Sequence, residues 1–353
     1  MAGLQIRPRT LLLRAGVVTG TGLRVGVEGF SLRFGDGLGE VTLLPDFGSE
    51  SLDDARRALE QAAEALQGSG PATSPEEIEQ RINAIPALAR APASRAGVEL
   101  ALLDAASRHA GQPLAGWLGA AERVVRVNAL LIEDTPQALA AAARSRVREG
   151  FETIKVKVGS ASAEVDHQRL KAVREAIGPD VRLRIDGNGA WTEAEARQRL
   201  IDCAPFRLEY CEQPVAAGNI DALRRLRSLA RIAADETLGV SGCEELLLGG
   251  DRPAVDVLVF KLCTVGGLLR ARRIAARAWQ LGVEVTVTSA LDGAVSRAGA
   301  AHLACTLPTE GPADGLATGH LLEHDPGCYS LSQGMLQVPD APGLGIDPAV
   351  MGW

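Results

Sequence analysis

From about residue 124 onward, short apolar runs rich in β-branched residues alternate with longer stretches of helical period. Residues 124–131, 153–158, 181–186, 208–212, 232–235, 255–262 and 283–289 read as strands. The stretches 136–149, 163–177, 192–203, 220–229, 243–248, 268–279 and 294–307 read as the helices that follow them. A short last strand is expected near 315–318. A β-α unit recurring every roughly 25 to 30 residues implies parallel strands joined by right-handed crossovers. Seven or eight such units are enough to close a barrel instead of leaving an open sheet. The first 120 residues break this rhythm: 11–14, 24–28 and 30–34 suggest a small antiparallel meander with Gly-rich turns, followed by helices at 52–66, 75–84 and 94–107. The tail after Asp325 is rich in Pro and Gly and is expected to pack back on the N-terminal region.

At 353 residues the chain is long enough for one large domain and a smaller one. Hydrophobic residues make up 46% but aromatics only 3%, so Ala, Val, Leu and Ile build the core, favouring helix-on-strand packing. A net charge of -7 argues against nucleic acid or an anionic membrane as partner. No apolar run reaches the length of a membrane span and the N-terminus lacks a signal-peptide pattern, so a cytoplasmic protein is expected. Cys203, Cys211, Cys243, Cys263, Cys305 and Cys328 form no C-x-x-C pair and read as small core residues in a reducing compartment.

Charged residues concentrate at strand ends. Lys155 and Lys157, two apart in Thr153-Ile-Lys-Val-Lys-Val-Gly159, share one face of a strand. On a buried strand, mutual repulsion and lost solvation would push their pKa values down, toward a base able to take a proton from carbon. On an edge strand they would be solvated surface lysines. The next strands end on Asp186, Glu212, Asp235 and Lys261, where a barrel places its catalytic groups. One acid at a strand end is ordinarily a loop-facing charge. Three in succession repel one another unless a cation sits between them, and all-oxygen ligation suits magnesium, with manganese the alternative. With that cation and three charged lysines the mouth carries about +2, which attracts a small anionic carboxylate substrate.

Together these residues resemble the enolase superfamily, within it the muconate-cycloisomerase-like subgroup. The shared elements, in order, are Lys-x-Lys at 155–157, Asp-x-Asn at 186–188, Glu-Gln-Pro at 212–214, Asp-Glu at 235–236 and Lys261. The resemblance implies an α/β fold: a modified (β/α)7β TIM-type barrel over 121–325, an N-terminal α+β capping domain over 1–120, and a C-terminal segment, 326–353, packing back on the cap. It also implies magnesium held by Asp186, Glu212 and Asp235.

Within the subgroup the chain is most similar to the o-succinylbenzoate synthase family of menaquinone biosynthesis. Gly37-Leu-Gly-Glu-Val-Thr-Leu-Leu-Pro-Asp-Phe-Gly-Ser-Glu-Ser51 resembles that family's capping loop, and Leu183-Arg-Ile-Asp-Gly-Asn-Gly-Ala-Trp191 its third-strand signature. Gly315-Leu-Ala-Thr318 and Pro342-Gly-Leu-Gly345 resemble its eighth-strand end and closing segment. Two departures are Asp46, where Gly is usual, and Thr288-Ser-Ala-Leu-Asp-Gly293 in place of a Ser-rich Glu-Ser-Ser pattern. The resemblance implies a lyase. Lys157 would take the proton α to a carboxylate and return it to the departing β-hydroxyl. Lys155 would lower the pKa of Lys157, and Lys261 would stabilise the intermediate from across the barrel.

Elimination needs one base, racemisation a lysine on each face, and this chain offers both. The isomerase alternatives are therefore an N-acylamino acid racemase, a dipeptide epimerase or a muconate cycloisomerase. A non-catalytic, metal-stabilised barrel is the alternative of another class. Dipeptide epimerases of the superfamily usually show Asp-x-Asp on the eighth strand to hold the substrate amine, whereas here Asp314 is followed by Gly315 and Leu316.

Other residues carry two readings each. Asn188 is a ligand to the substrate carboxylate or a turn former. Ser289 and Asp292 follow the seventh strand, where substrate contacts are expected, and Asp292 also reads as a helix N-cap. Gly266 and Gly267 precede a helix and would bind an anion through N–H groups, or make an ordinary turn. Arg184 shares a strand face with Asp186 and would neutralise the acidic cluster, and Glu236 is a supporting hydrogen-bond partner or a ligand. His109, His167, His302, His320 and His324 lack metal-ligand spacing and read as structural or exposed. A homo-oligomer is left open.

Overall fold

The structure, a computed structural model, describes residues 3–19, 22–324, 326–327 and 329–353, so Cys328 lies outside the described residues. β1 (Leu4–Thr19) pairs antiparallel with β2 (Gly22–Phe34), which pairs with β3 (Gly37–Thr42). The three short pieces expected from the apolar pattern are thus stretches of two long strands. Their ladder runs from Leu4 opposite Phe34 to Thr19 opposite Gly22, because backbone pairing continues through polar positions that side-chain periodicity does not mark.

Three helices complete the cap: α1 (Leu52–Ala65), α2 (Pro75–Asn83) and α3 (Pro92–His109). Ser51 and Ser74 cap the first two by accepting from Asp54 N and Glu77 N. α3 is buried on nearly every side and lies against β3 so closely that a Cβ on Gly39 would sit 2.2 Å from the Gly97 carbonyl oxygen. Glycine is required there by close approach of two backbones.

The barrel begins with β4 (Val124–Arg126) and β5 (Ala129–Leu131), continues through β6 (Thr153–Lys157), β7 (Arg182–Asp186), β8 (Tyr210–Glu212) and β9 (Ile232–Ala234), and ends with β10 (Val257–Phe260) and β11 (Glu284–Val287). β5 to β11 form one parallel sheet in chain order. Ile154, Val156, Leu183, Ile185 and Cys211 are fully buried, as a sheet covered on both faces requires. The single strand expected over 124–131 is split, because Val127 N and Asn128 N donate to Gly334 O and Asp314 O. No extended strand forms at 315–318. Single parallel bridges, Val127 to Asp314 and Thr288 to Gly315, join the two ends of the sheet. Thr135, Ser162 and Thr192 cap the outer helices Pro136–Arg148, Ala163–Ile177 and Glu193–Cys203.

The C-terminal segment meets both parts. The hairpin of β12 (Ser330–Ser332) and β13 (Met335–Gln337) adds to β4. Leu344 N donates to Asp104 of α3, and Arg108 of α3 donates to Ile346 O. Of the five described cysteines four are buried and Cys305 is half-buried; burial pushes the thiols of Cys203 and Cys305 up to about 12. Among the described residues, no helix is long and apolar enough to cross a membrane.

His302 accepts a hydrogen bond from Ala115 N at 2.9 Å, and burial pushes its pKa from 6.5 down to about 4. The unfolded chain therefore binds this proton more readily than the folded one. Its contribution is fully present above the unfolded value and is lost as pH falls toward 4, by up to about 3 kcal/mol. Urea midpoints at pH 7 and pH 5 should differ, and the difference should shrink in His302→Gln.

Candidate active site

Parallel register brings the strand-end charges side by side. Lys157 of β6 lies opposite Asp186 of β7, which lies opposite Glu212 of β8, and β9 delivers Asp235 just beyond its end. Ligand oxygens of Asp186, Glu212 and Asp235 lie within 4.8 Å of one another, and all three residues are buried. The lysines answer them. Lys155 Nζ donates to Glu212 at 2.6 Å and pairs with Asp186 at 2.9 Å. Lys157 Nζ donates to Asp186 at 2.8 Å and to Asn188 Oδ1 at 2.7 Å, and Lys261 Nζ donates to Asp235.

Burial and the neighbouring Asp186 push Glu212 up to about 8. Burial also acts to raise Asp186, but Lys155 and Lys157 hold it far below the usual carboxylate range. Lys155 is not depressed as the sequence suggested, and Lys261 behaves in the same way. Burial pulls them down, yet the carboxylates they face hold both above the ordinary lysine value. The donor set fits a hard divalent cation: three carboxylates converge in a buried pocket, where their repulsion calls for more positive charge.

Supporting residues fix this arrangement. The buried Gln213 accepts from Asp235 N and Thr237 N and donates to Val215 O and Thr237 Oγ1, locking the backbone at the third acid. Arg169 donates to Lys157 O and Glu133 O, while its partner Asp166 accepts from Gly159 N, so the end of β6 is clamped.

Lys155, Lys157, Lys261, Asp186 and Asp235 face one pocket. Its walls are Leu130, Leu291 and Leu321 with Asn128, Ser289 and Thr318, and the cap closes it with Leu44 and Phe47. The Phe47 ring centroid lies 4.8 Å from Lys261 Nζ. A larger cavity of 610 Å³, lined in part by Arg146, Arg148 and Gln333, lacks the acidic cluster.

The other expected site residues fall in several places. Ser289 lines the pocket and bonds Thr318 Oγ1 at 2.7 Å. Asn188 orients Lys157 and donates to Glu236, whose pKa rises to about 7 through burial and the adjacent Asp235. Arg184 makes no direct contact with the cluster and acts on Glu212 only through space. One layer deeper in the barrel, it stacks on Tyr210 and pairs with Glu209. Gly266 and Gly267 bind no anion in the pocket, because the helix they open, Leu268–Gln280, is met by Glu99 of α3, which accepts from Leu269 N. Asp292 does not cap the helix Ala294–Ala304. It accepts from Ala290 N, and the cap residue Glu40 takes Gly293 N and Val295 N instead. Asp46, the departure in the capping loop, turns to Arg24. Sequence reasoning missed Leu44, Phe47, Asn128, Leu291, Thr318 and Glu40 as individuals. The capping-loop resemblance over 37–51 was the one signal for three of them.

A family model described as "Enolase C-terminal domain-like" matches residues 138–351. The chain is 33% identical to a hydrophobic dipeptide epimerase of Enterococcus faecalis over 304 residues, 84% of each chain. It is 40% identical to an o-succinylbenzoate synthase of Thermobifida fusca over 215 residues, 60% of this chain and 64% of that one. The crystal structure of the Enterococcus faecalis V583 dipeptide epimerase with Mg and L-Leu-L-Tyr matches with a TM-score of 0.87 at 28% identity, covering 98% of this chain and 99% of that one. The chain belongs to the enolase superfamily and is one of its enzymes.

Loss of the Gln213 clamp should loosen Asp235 without removing a carboxylate from the cluster. Gln213→Leu should weaken magnesium binding by about 10- to 100-fold in a calorimetric titration, with Asp235→Asn weaker still.

Proposed function

We propose that this enolase-superfamily chain is a magnesium-dependent lyase of the o-succinylbenzoate synthase type, acting in menaquinone biosynthesis. One observation carries the choice over a dipeptide epimerase: among the described residues, the pocket wall holds no carboxylate besides the acidic cluster. Of the eighth-strand residues, Asp314 is buried and accepts from Val287 N at 2.6 Å, and Leu316 is fully buried. Gly315 faces the pocket, but a Cβ there would lie 2.4 Å from Thr288 Oγ1. A dipeptide's ammonium group would enter this pocket without an anion to meet it. A cyclohexadiene carboxylate carries no ammonium, and its ring suits a wall of Leu44, Phe47, Leu130, Leu291 and Leu321. Likeness to the Thermobifida fusca synthase supports the same reading, although dipeptide epimerases predominate among the similar proteins.

Asp186, Glu212 and Asp235 would hold the magnesium ion. When bound, magnesium offsets carboxylate charge and makes the proton α to a substrate carboxylate more acidic. Lys157 Nζ takes that proton, and the C–H electron pair becomes the new ring double bond as the β C–O bond breaks. The same proton then passes from Lys157 to the departing oxygen, which leaves as water. Lys155 stays charged and, like Lys157, contacts Asp186 Oδ2, so it keeps a positive charge beside the reacting face. Lys261, on β10's end across the barrel, supplies a second positive charge under the Phe47 ring.

Because Lys157 and Lys261 both line the pocket, N-acylamino acid racemisation is the second reading, and an acylated nitrogen also lacks charge. Parallel assays decide. Dehydration of 2-succinyl-6-hydroxy-2,4-cyclohexadiene-1-carboxylate is expected, epimerisation of free dipeptides is not, and absence of the first overturns the synthase reading. Lys157→Ala should lower kcat by at least about 10²- to 10⁴-fold, the usual worth of a general base, and chelation should abolish turnover. Unchanged activity in Lys157→Ala would overturn its role as base, and a wild type that turns over none of these substrates would favour a non-catalytic barrel.

A further inference from the structure

The cap grips the loop after β11 by hydrogen bonds to its backbone at residues 293 and 295, much as β1 holds the segment after Leu321, where Glu323 N donates to Leu12 O. Glu40, at the centre of β3, is buried beneath it. One carboxylate oxygen accepts from Gly293 N at 2.6 Å and the other from Val295 N at 3.2 Å. Arg9 of β1 pairs with the same carboxylate at 2.6 Å and also donates to Thr42. The fit leaves no space at residue 293, where a Cβ would lie 2.6 Å from both Arg9 and Glu40. Within the loop, Asp292 accepts from Ala290 N at 2.7 Å, and Arg297 donates to the Asp292 carbonyl.

This grip bears on Leu291. Its φ is +59°, a left-handed conformation that a branched side chain rarely adopts and that persists only where surroundings enforce it. The enforced conformation places Leu291 in the pocket wall, and Leu11 and Leu13 of β1 share its apolar cluster with Leu322. β1 thus packs the side chain, while Glu40 of β3, in the same cap sheet, holds the following backbone. We infer that Leu291 sets specificity for the part of the substrate distant from the reacting carboxylate, and that Glu40 is the positioning residue that holds it there. Glu40 does not line the pocket, so it acts through residues 291–293 and not on the reacting atoms. The inference rests on the pocket being the substrate site, as proposed above, but not on which acyl or ring group it takes.

The test uses full-length protein with Glu40→Ala, Glu40→Gln and Leu291→Ala. Each is assayed for cyclohexadiene dehydration and for N-succinyl amino acid racemisation, with magnesium titrated separately. Glu40→Ala should raise KM by about tenfold, the scale of a lost pocket contact, with kcat and magnesium affinity little changed. Glu40→Gln, which keeps one acceptor for Gly293 N, should recover part of that loss. Leu291→Ala should change the ratio of kcat/KM between two substrates by about tenfold. A fall in melting temperature with KM unchanged would overturn the positioning role, and an unchanged substrate ratio in Leu291→Ala would overturn the specificity role. Should Glu40→Ala not fold, Glu40→Gln and Leu291→Ala still decide. Should the wild type dehydrate nothing, the synthase reading alone fails, and the ratio is read between two N-acylamino acids.

Discussion

Mutual repulsion among Asp186, Glu212 and Asp235 is the constraint around which this molecule is arranged. Three buried carboxylates cannot all stay ionised within 4.8 Å of one another unless positive charge surrounds them. Glu212, with a pKa raised to about 8, records what the group would do if left to itself. Asp186, held far down by two lysines, records what adjacent ammonium groups achieve. Each lysine leans on one or two of the acids, so the three ammonium groups and the three carboxylates form one electrostatic unit.

That unit exists because the strands are parallel and in register. Lys157, Asp186 and Glu212 are successive cross-strand neighbours at the same height, and side-chain alternation turns them all inward. A slip of one residue on any of these strands would send its charge into the apolar layer between sheet and helices. Arg184, two residues before Asp186, shows the same rule one layer down, where its partners are Glu209 and Tyr210.

The cap is seated on the barrel by buried acids as much as by apolar contact. Glu40 receives backbone N–H groups at 293 and 295, Glu99 receives Leu269 N, and Asp104 receives Leu344 N. Each satisfies a helix end or turn that would otherwise lie buried without a partner. Burial pushes Glu99 up to about 7, which indicates how dry this joint is. Through it the cap delivers Leu44 and Phe47 to the pocket.

What the chain declared on its own was local and periodic. Strand-then-helix alternation announced the barrel, and charges at the ends of apolar runs announced Lys155, Lys157, Asp186, Glu212, Asp235 and Lys261, because both signals lie within a few residues of sequence. The length of β1 and β2 did not show, since backbone pairing leaves no mark on side-chain polarity. Nor did the sign of the Lys155 shift: two adjacent ammonium groups predict depression, and only folding brings three carboxylates from other strands to bear on Lys155. Glu99 at residue 269, Glu40 at residue 293 and Phe47 over Lys261 are contacts across nearly the whole chain or between its two parts. Tertiary structure alone decided these, because no spacing along one segment encodes which distant backbone N–H or ammonium group a side chain will meet.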